Sequence, residues 1–203
     1  MNKPIIVFSL TLITCGCGDR QQPTGPTEPT TGPVSVRGRI VDFNSQTAVP
    51  GARVVFGNYG QSGTIGEEAS AISDSNGAYV ARFAARGGFL VLVDGSYAGS
   101  VRITGSSYHG ELFVNGGRCV ARYGTIADAR TLRPVAGAAV VVGGGSAVTD
   151  VDGWYRIDLG CSGSIGFNTA ILTVAHTDYL TTARTVGRGI SGVERLDVDL
   201  EHR

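Results

Sequence analysis

Lysine occurs once in 203 residues, at Lys3, and Trp154 is the only tryptophan. The formal charges cancel, 17 basic against 17 acidic. That balance excludes the strongly basic surface of a nucleic-acid binder and the acidic excess of a disordered tail. Three histidines are present, His109, His176 and His202. None has a second histidine, cysteine or carboxylate at helix-compatible metal spacing, so no metal or cofactor is expected. Gly-x-Ser-x-Gly is missing, which removes the nucleophile elbow of a serine hydrolase, and the His-x-x-Glu zinc pair of a carboxypeptidase is missing too. No catalytic residue is assigned. Only a pocket gathering His176 with two acidic residues would restore an enzymatic reading, as a small envelope hydrolase.

Helical periodicity is also lacking. Apolar residues come in short, often alternating runs, the pattern of half-buried strands, and 31 glycines supply the turns between them. Strands are expected near 34–42, 52–57, 69–74, 78–84, 89–94, 98–104 and 109–114, then near 118–127, 137–142, 146–150, 154–158, 170–175, 180–186 and 193–200.

The two sets are copies. Gly38-Arg-Ile40-Val-Asp42 and Val49-Pro-Gly51-Ala52-Arg-Val54-Val55-Phe-Gly57 return as Gly124-Thr-Ile126-Ala-Asp128 and Val135-Ala-Gly137-Ala138-Ala-Val140-Val141-Val-Gly143, at a constant offset of 86 (38 to 124, 57 to 143). A second block, Ala71 to Tyr79, returns as Ala147 to Tyr155 at an offset of 76 (74 to 150), so the first copy carries ten more residues within 58–68. The fold class expected is all-β: two tandem seven-stranded, Greek-key-type β-sandwiches, residues 34–116 and 117–203. Gly51 and Gly137 should supply positive φ, with Ala52 and Ala138 small enough to follow them inward. Asn76-Gly77 and Asp152-Gly153 read as type I′ hairpin turns, with Asp74 and Asp150 accepting amides across them. Tyr79 and Tyr155 should pack inward with their hydroxyls partnered.

Residues 1–17 have an export-signal layout, with Lys3 before the short apolar run Pro4 to Ile13. That run falls short of the roughly 20 apolar residues of a membrane-spanning helix. Leu12-Ile13-Thr14-Cys15-Gly16-Cys17 resembles the lipobox of a bacterial lipoprotein, which implies acylation of Cys15 or, alternatively, Cys17. Residues 18–33, rich in proline and threonine, read as a solvated disordered linker. At about 3.1 Å per residue it could hold the first sandwich up to about 45 Å from the lipid.

The combination Gly-x-Ile-x-Asp, Val-x-Gly-Ala-x-Val and Asp-x-x-Gly-x-Tyr, followed by an apolar strand leading to Tyr97 or Tyr179, resembles the carboxypeptidase regulatory-like domain, a transthyretin-like seven-strand sandwich. Where that family has Gly-Tyr, this chain has Ser96-Tyr97 and Asp178-Tyr179. The resemblance implies a fold and export, and no activity. In an oxidising envelope Cys119 and Cys161 pair most simply as a disulfide.

Two strings receive a bland reading. Gly187-Arg-Gly189-Ile-Ser-Gly192 matches a dinucleotide fingerprint, but the alternating Val193 to Leu200 after it reads as a strand where the fingerprint needs a helix. Asp150-Val-Asp152-Gly153 starts like a calcium loop without its later ligands, so turn chemistry is expected. The function expected is that of a non-enzymatic envelope lipoprotein, structural, adhesive or protein-interacting, on the outer membrane or a periplasm-facing membrane. Its partners would be the membrane, through the anchor, and envelope proteins or polysaccharide, with no nucleic acid. The alternative is a polysaccharide-binding accessory protein whose candidate face is Trp154 with Tyr123 or Tyr179.

Overall fold

The computed structural model describes residues 33–59, 65–84, 86–103, 110–161, 170–186 and 192–203. The first repeat forms β1 (Val34–Asp42), β2 (Arg53–Tyr59), β3 (Ile65–Ile72), β4 (Ala78–Phe83), β5 (Gly87–Val93), β6 (Ser96–Ile103) and β7 (Gly110–Val114). The second forms β8 (Val120–Asp128), β9 (Ala139–Val142), β10 (Gly145–Val148), β11 (Trp154–Gly160), β12 (Ala170–Ala175), β13 (Thr182–Val186), β14 (Val193–Leu196) and β15 (Val198–Leu200). The described residues contain no helix. β14 and β15 are one strand interrupted at Asp197, so each repeat carries the seven strands its sequence implies.

Alternation decides which side of each strand is dry. In β4 the pattern runs strictly exposed-buried, burying Tyr79, Ala81 and Phe83. They face Val54, Phe56, Val91 and Ile103 across the sandwich, whose sheets are β4-β1-β7 and β6-β5-β2-β3. In the second repeat, Ile126, Tyr155, Ile157 and Leu200 meet Val140, Leu172 and Val174 between β11-β8-β15 and β10-β9-β12-β13. β1 pairs antiparallel with β4 and parallel with β7 (Ile40 beside Leu112). β8 repeats this with β11 and β15 (Ile126 beside Val198).

The repeated residues now have contacts. Gly51 and Gly137 adopt φ of 72° and 76°. Behind them the amides of Ala52 and Ala138 donate to the buried hydroxyls of Ser73 (2.9 Å) and Thr149 (2.8 Å), which donate onward to the carbonyls of Val49 and Val135. Tyr79 passes over Gly38 and its hydroxyl donates to the Gly110 carbonyl at 2.6 Å. Tyr155 stands opposite Gly124 in the strand register and donates to the Leu196 carbonyl at 2.7 Å. A Cβ on Gly38 would stand 2.1 Å from the Gly110 oxygen, and one on Gly124 would stand 2.2 Å from the Leu196 oxygen. The glycine and the tyrosine of the repeated motif are therefore one device, closing the first strand against the last.

The hairpin expectation is corrected. Asp74 and Asp150 do cap their turns, each accepting two amides (Asn76 and Ala78; Asp152 and Trp154). Only Gly77 and Gly153 take positive φ, however, and Asn76 and Asp152 do not. A type I′ turn is thereby excluded, and β3 and β4 belong to different sheets, as do β10 and β11. The aspartate-capped turn carries the chain across the sandwich.

The two sandwiches are also not independent. β14 lies parallel to β8 (Arg195 beside Tyr123) and parallel to β6 of the first repeat (Arg195 beside Gly99, Leu196 beside Ser100). One sheet consequently runs β3-β2-β5-β6-β14-β8-β11 through both repeats.

Candidate interaction site at the seam of the repeats

The seam is made of residues that one repeat alone would leave in water. Val41, Phe43 and Phe113 of the first repeat meet Ala121 and Tyr123 of β8, with Trp154 and Val193 at the margin, in an apolar cluster separate from both cores. Phe113 stands edge-on to Phe43 (5.9 Å) and to Tyr123 (4.9 Å), as ring quadrupoles favour. Arg156 reaches over from β11, its guanidinium 4.7 and 4.8 Å from the Phe43 and Phe113 ring centres.

Into this cluster β14 carries a charged pair. Arg195 is fully buried: Nη1 donates to the Glu111 carbonyl at 2.7 Å, Nε donates to Asp197 Oδ1 at 3.1 Å, and the guanidinium lies 5.3 Å from the Trp154 ring. Asp197 accepts one amide from each repeat, Arg102 N at Oδ2 (2.8 Å) and Thr125 N at Oδ1 (2.9 Å). A buried pair contributes little net stability, but removing one member strands the other. The pair therefore fixes how the repeats sit against each other. Gly99 makes room for it, since a Cβ there would stand 2.3 Å from the Arg195 carbonyl oxygen and 2.5 Å from its nitrogen.

Two cavities border the seam. One, about 410 Å³, lies between Asp94, Tyr97, Asn115 and Glu194. Its polar groups are engaged: Glu194 accepts the Tyr97 hydroxyl at 3.2 Å and pairs with buried Arg122 at 3.3 Å. Burial holds the Arg122 guanidinium below its ordinary range, with Glu194 pulling the other way. The other cavity, about 500 Å³, is a groove between the outer face of β5 and β6 and the free side of β13, lined by Tyr59, Leu90, Arg102, Arg184, Val198 and Asp199. Tyr59 is 71% exposed there. Arg102 pairs with Asp199 Oδ2 at 2.9 Å, while Arg184 makes a long hydrogen bond to Ser100 Oγ at 3.4 Å. Burial raises the Asp199 carboxyl above its ordinary pKa against the pull of Arg102.

A third cluster gathers His176, Tyr179, His202 and Asp128. Asp128 Oδ1 accepts the amides of Arg130 and Thr131 (2.9 and 2.6 Å), and Oδ2 accepts the Tyr179 hydroxyl at 3.0 Å and lies 2.6 Å from His202 Nε2. Burial opposes its ionisation, but the Thr131 amide and hydroxyl, the Tyr179 hydroxyl and the Arg130 amide win, holding the carboxyl at about 2. The ring of His176 stands 5.3 Å from that of Tyr179. In the first repeat the equivalent Asp42 accepts the amides of Asn44 and Ser45 and the side chain of Asn115. The shared role is to brace a turn, and in the second repeat it also ties down the C-terminus, where Leu180 N donates to the Glu201 carbonyl at 2.8 Å. Sequence spacing gave no hint that His176 and His202 would both stand against Tyr179, because the isolated bridge between Tyr179 and His202 is a long-range pairing.

Of the candidate face, Tyr123 is a correction: it is fully buried, its hydroxyl accepts the Phe113 amide at 2.9 Å, and burial pushes its pKa up. Its alternation assigns it to an outer face, and the other repeat covers that face. Trp154 is half-buried with its ring 5.6 Å from Tyr123, so it serves the seam, and Tyr179 is turned onto Asp128. No two of the three form a common exposed platform. Cys119 and Cys161 form a disulfide. Cys15 and Cys17, the signal and linker up to residue 32, His109 and residues 187–191 lie outside the described residues. Gly192 leads into β14, a strand as its alternation implies. Asp150 and Asp152 behave as turn residues, Asp150 Oδ1 receiving two amides.

No family model matches the sequence, and no curated protein matches it. Among solved structures the chain is similar to the Bacillus anthracis TIE protein (14% identity, TM-score 0.32, covering 84% of this chain and 34% of that one). It is likewise similar to a type II cohesin–X-dockerin complex from Acetivibrio cellulolyticus (21% identity, TM-score 0.30, 39% and 52%) and to the shaft pilin SpaA of Lactobacillus rhamnosus GG (11% identity, TM-score 0.29, 85% and 97%). The chain spans about a third of the length of the first and about half of the second.

Proposed function

We propose that this chain is a non-enzymatic envelope protein, anchored through acylated Cys15 or Cys17 and a tether, in which two carboxypeptidase regulatory-like units (34–116 and 117–203) act as one rigid body that presents an interaction face to envelope proteins. The observation that carries this is the seam. Two sandwiches joined by a bare linker would swing freely, whereas these share a sheet and a buried Arg195–Asp197 pair that takes one amide from each repeat. Fixing the relative pose in advance spares a partner the ordering cost of binding across both units. The carbohydrate reading loses its aromatic platform with the burial of Tyr123.

The test uses the full-length chain in its own envelope, with a photo-crosslinking residue placed singly at exposed positions on each repeat. Discrete protein adducts that vanish in the Cys15→Ala/Cys17→Ala double variant are expected. Saturable polysaccharide binding with no protein adducts would replace this reading with the carbohydrate one.

A further inference from the structure

We propose that the groove between the repeats is a docking site for an extended peptide of a protein partner, which adds as a strand to the free edge of β13 and sets a carboxylate against Arg184. This rests on the interaction-module reading above and gives that module its site.

Four observations converge. β13 ends its sheet, pairing only with β12 among the described residues (Ala183 beside Thr173, Thr185 beside Ile171). Its 5 residues offer roughly 16 Å of unpaired backbone at about 3.3 Å each. Exposed edges of this kind are usually blunted by charges, proline or a covering element. Here the only charge is Arg184, which points into the groove.

The molecule also holds its own precedent. β6 is the strand of the first repeat that corresponds to β13, and its edge is filled: β14 lies against it in parallel. The same edge in the same fold thus accepts an added strand in one repeat and, among the described residues, carries none in the other. Strand addition in which main-chain bonds supply affinity and flanking pockets supply specificity is a general mode of peptide recognition.

The groove supplies the specificity. Its floor is the outer face of β5 and β6 with the end of β2 beside it, where Leu90 of β5 and the exposed Tyr59 of β2 offer apolar contact to one row of a strand's side chains. Its charged groups sort by what already holds them. Asp199 is paired through Oδ2 with Arg102 at 2.9 Å. Arg184 is exposed and, among the described residues, is held by the long contact to Ser100 Oγ at 3.4 Å, whereas neighbouring Arg102 is already paired. A guanidinium in that position favours a carboxylate partner.

The experiment titrates the full-length chain into a fluorescent peptide alternating threonine and valine around a central glutamate, read by anisotropy. Saturable binding is expected. It should weaken about tenfold or more when alternate peptide amides are N-methylated, and by a similar factor in Arg184→Glu. Arg184→Glu should in turn prefer the peptide with a central lysine, with an unchanged melting temperature showing that the fold is intact. No saturable binding, or binding indifferent to both N-methylation and Arg184→Glu, overturns the proposal. So does a neutral polysaccharide that binds and is lost in Arg184→Glu. A cellular arm separates this site from the broader function: crosslinker at Thr185 should trap the same partner as the module does. Adducts at Ile171 but none at Thr185 would overturn the groove and leave the presenting module standing. Adducts nowhere would overturn both.

Discussion

Replacing Asp197 by alanine should unlock the two repeats. The carboxylate is buried and accepts the Arg102 and Thr125 amides and Arg195 Nε. A buried donor left unmet costs about 1–3 kcal/mol, and breaking a buried ion pair by deleting one partner costs about 3–5 kcal/mol. These overlap, because the stranded guanidinium keeps the Glu111 carbonyl and the Trp154 face. A net loss near 4 kcal/mol is expected. At about 2–4 °C per kcal/mol for a chain of this size, the melting temperature should fall by roughly 12 °C. Trp154 is the only tryptophan and sits on Arg195, so its fluorescence reports the seam while far-UV circular dichroism reports both sandwiches. In the parent the two transitions should coincide, and in Asp197→Ala the fluorescence transition should come first. Arg195→Met/Asp197→Leu should recover more than half of the loss, because an apolar pair leaves no buried charge stranded. The reasoning fails if Asp197→Ala costs under about 1 kcal/mol, or if the double variant is no more stable than the single one.

Opening the Cys119–Cys161 bridge frees a 42-residue loop, so Cys119→Ser/Cys161→Ser should lose about 4 kcal/mol in urea unfolding by the chain-entropy estimate. Asp128 is held at about 2 in the folded state against an ordinary 3.8. Its contribution is therefore complete above about pH 4 and is lost as pH falls through 2. It amounts to no more than about 2 kcal/mol, and Asp128→Asn should flatten melting temperature against pH in that window. Gly99→Ala should destabilise by several times more than Gly116→Ala in thermal melts, because its Cβ meets backbone of β14, whereas a Cβ on Gly116 meets the end of the Val193 side chain.

Most of the fold was legible because the repeat writes each device twice. Alternation located the strands to within a few residues, and the paired glycine and tyrosine marked where the first strand closes on the last. The turns after Asp74 and Asp150 were legible as turns but not as crossings, because Asn-Gly and Asp-Gly fit either and sheet membership is a long-range property. The site was largely illegible. Its determinants lie where the copies differ: Arg122 stands where the first repeat has Val36, Tyr123 where it has Arg37, and Leu196 where it has Gly110. Read within one repeat, a tyrosine at the Arg37 position belongs outside.

Those differences explain why the second repeat cannot be exchanged for a second copy of the first. β1 exposes Ser35 and Arg37 on its outer face, but β8 buries Ala121 and Tyr123 there. In the second repeat β14 pairs with β8 on one side and with β6 on the other, which turns an edge-to-edge meeting of sandwiches into a paired sheet. Strand edges are the natural sites of unwanted association, and β14 covers one of them in the first repeat. Among the described residues no strand covers the corresponding edge, β13, which lies beside a groove that carries Arg184. A tandem that only needed to be rigid could have sealed both edges. Under the proposal above, that asymmetry gives the module a closed edge toward its own chain and, at β13, an edge for a partner strand.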